Sequence, residues 1–151
     1  MRAVKRLSLD TRGGALIEFA MVLPVVAVML LGIVDVATCY SQQFSLQQAA
    51  GRSLERVQVT GGRTDLVTVR AEAAQAANVP ISSVTVDDWL ECDSQRQATS
   101  VQQCSTGQTT ARYVQVTINS KYVPFFAYSP LGARQADGTV ALSVNSALRV
   151  S

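Results

Sequence analysis

The stretch ALIEFAMVLPVVAVMLLGIV, residues 15–34, holds twenty residues and a single charge, Glu18. At about 1.5 Å of rise per residue, a helix of that length reaches roughly 30 Å, the thickness of a bilayer's hydrocarbon core. The stretch therefore reads as a membrane span. Arg2, Lys5, Arg6 and Arg12 precede it against Asp10 alone, a net of +3, whereas residues 35–54 carry one basic side chain, Arg52. By the positive-inside rule the amino end stays in the cytoplasm and the remainder is exported. A cleaved secretory signal would have a shorter apolar run of about 7–15 residues, and a lipoprotein signal ending at Cys39 would follow Thr38 and lie close to Asp35.

The rest of the composition narrows the function. The 151 residues are 48% apolar and 16% charged, one domain's length beside the span, and they contain no histidine. Ser-His-Asp and Cys-His nucleophile activation and most zinc sites are thereby excluded. The total charge is +2, so once the basic head is set aside the remaining chain is close to −1. That is not the footprint of a nucleic-acid binder. No phosphate-binding loop, dinucleotide fingerprint or clustered metal ligands occur, and the reading is of a protein that is not an enzyme and needs no cofactor.

Glu18 has two physical readings. It can snorkel from one turn inside the membrane to the cytoplasmic headgroups, or it can await a counter-charge, since an intramembrane carboxylate costs up to about 2.5–3.5 kcal/mol near the bilayer centre. The residues around it favour the second. Arg12-Gly13-Gly14-Ala15-Leu16-Ile17-Glu18-Phe19-Ala20-Met21-Val22-Leu23-Pro24 resembles the amino-terminal signature of TadE-like proteins, minor pilins or pseudopilins of the tight-adherence (Tad, type IVc) pilus system. The resemblance implies a class III, prepilin-type signal cut by a prepilin peptidase between Gly13 and Gly14. Glu18 then stands at mature position five and Phe19 at six, and Glu18 would pair with the free amino group of a neighbouring subunit during assembly.

That reading divides the chain into a basic cytoplasmic leader (1–13), a transmembrane helix (14–37) and an exported pilin-like head (38–151). The implied partners are the inner membrane, the prepilin peptidase, other Tad pilins and the assembly platform, with roles in adhesion and biofilm formation and the carboxyl terminus in the periplasm. A membrane-anchored periplasmic ligand-binding module that never polymerises is the alternative.

The head is expected to be α+β. Leu46, Ala50, Leu54 and Val57 recur at helical spacing, so the membrane helix continues to Val57, about 66 Å in all, with Gly61-Gly62 as its stop. Thr64 and Asp65 open a second helix whose apolar stripe is Leu66, Val69, Ala73 and Ala76, ending at Asn78-Val79-Pro80. Three alternating runs follow: Val84 and Val86; Val114, Val116 and Ile118; and Val140, Leu142, Val144, Leu148 and Val150, interrupted by Ser146. They suit a small antiparallel sheet with one apolar face against the helices. Asp137-Gly138 marks the turn before the last strand.

Cys92 and Cys104 flank a polar stretch and are expected to form a disulfide after export, closing a loop that contributes about 3 kcal/mol in the chain-entropy model. Cys39, at the outer end of the span, is left as a buried thiol or an intermolecular bridge. Asp87, Asp88, Glu91 and Asp93 cluster around Trp89 at what reads as a strand end and loop. A glycosidase pair or a calcium site would use such carboxylates, but no ligand ladder accompanies them and a solvated edge accounts for them. Tyr122, Phe125, Phe126 and Tyr128, between Pro124 and Pro130, either cap the core or present a contact surface.

Overall fold

A computed structural model describes residues 14–60, 65–98, 103–126 and 134–150. The order of elements is helix α1 (Gly14–Val59), helix α2 (Leu66–Ala77), a 3₁₀ turn (Ile81–Ser83), then strands β1 (Val84–Cys92), β2 (Gln95–Arg96), β3 (Thr110–Tyr122) and β4 (Val140–Arg149). The architecture is α+β: a long apolar helix, a second helix and a four-stranded antiparallel sheet in the order β2-β1-β3-β4. The chain divides into two compact units, residues 1–38 and 39–151.

In the first unit, α1 presents apolar side chains to its surroundings on every side. Leu16, Met21, Val25, Met29 and Ile33 are each at least 60% exposed, and the most apolar window of the helix has a mean hydropathy of 2.6 with none of it buried. A helix apolar all round belongs in a core or in lipid, and this one has no core. It is long and apolar enough to cross a membrane. Pro24 lies inside it without ending it.

In the second unit the same helix has a dry stripe. Cys39, Leu46, Ala49, Ala50, Leu54 and Val57 are buried together with Val69, Ala73 and Ala74 of α2 and with Val84, Val114, Val116, Ile118, Tyr122, Val140, Leu142 and Val144 of the sheet. The spacing along α1 is that of one helical face, and the strand positions alternate, so each element contributes one side to a single core. α1 runs to Val59, two residues past its expected end, while Gly61 and Gly62 lie outside the described residues.

α2 starts where Asp65 accepts a hydrogen bond from the Val67 amide, 3.3 Å, and Thr64 lies outside the described residues. It ends at Asn78, whose left-handed backbone (φ 53°) lets the Asn78 and Val79 amides reach back to the carbonyls of Gln75 and Ala74. Its buried stripe is Val69, Ala73 and Ala74. Ala76, expected in that stripe, is exposed, because Ala73 and Ala74 sit side by side on the face nearest the sheet and the next turn carries the face past Ala76. Arg56 of α1 pairs with Glu72 of α2 across the two helices.

β1 is longer than its sequence suggested. Pairing with β3 continues without a break from Val84↔Ile118 to Cys92↔Thr110, so Asp87, Asp88 and Glu91 are strand residues and not a loop. The two-residue turn to β2 uses Asp93 and Ser94, both at positive φ (50° and 66°), the conformation of a tight hairpin turn whose twist matches that of the strands. β3 pairs with β4 from Tyr113↔Arg149 to Tyr122↔Val140. Before β4, Gly138 (φ 81°) closes a turn in which the Asp137 side chain accepts from Thr139 and from Lys121 Nζ at 2.6 Å; these bonds, that to Lys121 foremost, hold the carboxyl well below its ordinary range.

Candidate functional site

Gly14 is the first residue of α1, and Gly13 lies outside the described residues, so only one side of the expected cleavage junction can be placed. Glu18 sits one turn into α1 and is exposed, with Phe19 beside it at 64% exposure. Within the described residues no cation pairs with Glu18, so any counter-charge comes from outside this chain's described part. A side chain added at Gly14 or Gly32 would meet no atom within 4 Å, leaving both positions open to an approaching helix. The arrangement is chemically simple. A carboxylate and an aromatic ring stand at the start of an otherwise apolar, solvent-free-seeking helix.

The acidic cluster is dispersed by the strand. Asp87, Trp89 and Glu91 share the outer face of the sheet, Asp88 points to the opposite face, and Asp93 occupies the turn. Each has a structural use or open solvent. Trp89 Nε1 donates to Glu91 Oε1 at 2.9 Å, and Asp93 Oδ1 accepts from the Thr109 amide at 2.8 Å. Among the described residues there is no group of three or more acidic, cysteine or histidine side chains that could hold a metal.

What the sequence did not reveal is a ladder across the outer face. Trp89 lies opposite Tyr113 with ring centroids 5.3 Å apart and nearly parallel, and the Arg96 guanidinium covers the other side of the indole at 4.5 Å. Such stacking contributes about 0.5–1.5 kcal/mol beyond burial. The register between strands far apart in sequence creates it, and no local signal marks it. Of the aromatic run, Tyr122 belongs to the core while Phe125 is 76% exposed, and Tyr128 and Pro130 lie outside the described residues.

Cys92 and Cys104 are joined in a disulfide with Cα atoms 5.6 Å apart, tying the end of β1 to the approach to β3. Cys39 is 3% exposed in the core and takes no part in it. Labelling of unreduced, unfolded protein with a thiol reagent is therefore expected to modify one cysteine, Cys39, and prior reduction should raise that to three; three labels without reduction would remove the disulfide.

The geometry defines a class: a small α+β head built around the continuation of a helix long and apolar enough to cross a membrane. Residues 13–53 match the family model described as TadE-like protein, a similarity that covers the start of α1, its apolar part and the first turns of its core-forming part. No curated protein and no solved structure matches the chain.

Proposed function

We propose that the protein is a minor pilin or pseudopilin of a Tad (type IVc) pilus or secretion apparatus, anchored by α1 in the inner membrane with its amino end in the cytoplasm and its head in the periplasm. The observation that carries this reading is where the TadE-like match falls. It covers the Gly13-Gly14 junction, Glu18 and the apolar part of α1, the residues on which processing and assembly of a pilin depend, and stops within the helix. The exposed apolar surface from Leu16 to Val34 supports it, because that surface needs lipid or neighbouring helices to cover it.

In this reading the prepilin peptidase cuts between Gly13 and Gly14. The new amino group of one subunit meets Glu18 of another, and Phe19 packs beside that pair. The protein works as a structural and assembly component and not as an enzyme. Its partners are the peptidase, other pilins and the assembly platform, and its contribution to adhesion and biofilm formation follows from the fibre it helps to build.

The test is the mass of the protein extracted from membranes, together with a carboxyl-terminal alkaline phosphatase fusion. A chain that starts at Gly14 and carries an active phosphatase is expected. A fusion active only as a cytoplasmic reporter would overturn the topology, and a chain that retains residues 1–13 would remove the processing step.

A further inference from the structure

The two edges of the sheet are finished differently. On one side β2 is two residues long, carries Arg96, and lies in sequence between the two cysteines of the Cys92–Cys104 disulfide. Short, charged and tethered edges resist pairing with other chains. The other edge is β4, ten residues without a proline, lysine or acidic side chain and with an unbroken register against β3. Its described backbone bridging on the outward side lies at its first residue, an isolated bridge between Arg134 and Val140.

The direction of the backbone groups along β4 follows from two bonds. The Val150 amide donates to the Arg112 carbonyl of β3 at 2.8 Å, so even-numbered residues face β3; the Thr139 carbonyl accepts from the Gln135 amide at 2.8 Å on the other side, so odd-numbered residues face outward. A bridge at Val140 engages the backbone on either side of that residue. Among the described residues the outward backbone beyond that bridge runs over residues 142–150, and its midpoint is Ser146.

We infer that this edge pairs with the same edge of a second copy of the chain, antiparallel and centred on Ser146, joining two sheets into one of eight strands. The strand is complementary to itself about that point. On the inner face Leu142 falls opposite Val150 and Val144 opposite Leu148, so every large apolar side chain meets another; Leu148 and Val150 are only half buried in the single chain and would be covered. On the outer face Ser143 falls opposite Arg149 and Asn145 opposite Ala147, which keeps the two arginines of the pair apart. Shifting the register by one residue would set core-facing side chains against outward ones, so the pleat forbids it. Ser146, the residue that interrupts the apolar face of β4, meets its own copy at the axis, where a larger side chain would crowd its twin.

The inference does not depend on pilus assembly, and its test uses the full chain in detergent or reconstituted bilayers under mild oxidation. At the axis of such a pair the two Ser146 Cα atoms would be about 4.5 Å apart, within disulfide range. Ser146→Cys is expected to shift the band on a non-reducing gel from the 16.1 kDa chain to twice that mass. Ser143→Cys alone should stay monomeric, yet link when mixed with Arg149→Cys. The unsubstituted chain and Ser120→Cys, on the central strand β3, supply the background, so contact made through α1 alone would appear in them equally. Failure of Ser146→Cys to link above that background, or self-linking by Ser143→Cys, would overturn the inference; loss of processing or of pilus entry would leave it standing.

Discussion

Replacing Glu18 with alanine is expected to leave a chain that is still processed to begin at Gly14 but no longer co-purifies with other pilins. In the pilin reading proposed above, the two steps use different features of one short motif. The peptidase must read the Gly13-Gly14 junction, so Gly13 changed to a bulky residue should leave the precursor intact. In that reading Glu18 acts afterwards. In a medium that cannot hydrate charge, the amino group of the incoming subunit depends on that carboxylate, and with alanine there it would be buried alone. Assembly should fall to background while the precursor-to-mature ratio in membranes stays that of the unsubstituted protein. If Glu18→Ala assembled normally, the carboxylate would be a snorkelling group at the membrane edge and the pilin reading would rest on cleavage.

The second large effect lies in the core. Ile118 has no exposed surface and stands at the middle of β3, the central strand, between β1 and β4. Ile118→Ala removes three carbon atoms where the backbone is held from both sides and cannot collapse into the space. A loss of about 2–5 kcal/mol is expected. Trp89, the sole tryptophan, is stacked on Tyr113 of the same strand, so its fluorescence during urea unfolding of the full chain in detergent reports on the sheet directly. Val67→Ala, at a position 71% exposed on α2, should change the midpoint little. Equal shifts for the two variants would mean that the sheet is not packed as described.

How much of this was legible in the sequence depends on the range of the signal. The apolar run at residues 15–34, the helical spacing of Leu46, Ala50, Leu54 and Val57, and the alternation through Val140, Leu142 and Val144 are local patterns, and each marks an element that the structure contains. Asp65 as the start of α2 was equally local. β1 was cut short because charged residues hid its period: Val84, Val86, Leu90 and Cys92 keep the alternation through Asp87 and Asp88, and following the pattern past the carboxylates would have extended the strand. The stripe on α2 was legible at Leu66, Val69 and Ala73 and missed at its end, where Ala74 and not Ala76 is buried, because alanines carry too little hydrophobic contrast to phase a short helix. The turn at Asp93-Ser94 lacks the glycine that usually announces it. The Arg96, Trp89 and Tyr113 ladder could not be read at all, since it exists only once three strands are in register.

The candidate site divides in the same way. Glu18 stood out because a charge within an apolar run is conspicuous, and Phe19 through the resemblance that sets an aromatic beside it, whereas the carboxylates near Trp89 drew notice by proximity in sequence that the pleat then undid. Adjacent residues of a strand are the ones that cannot act together.

The core has a definite order of manufacture. Its helical stripe, Leu46 to Val57, leaves the ribosome early, while Val140, Leu142 and Val144, which help to seal it, come from the last strand. At synthesis rates of about 5–20 residues per second the interval is on the order of ten seconds. For that time the newborn chain carries a greasy helical face with nothing to lie against, directly continuous with a segment suited to lipid. The stripe therefore stays uncovered until the sheet arrives, and β4, the last strand to be made, is the one that completes the core.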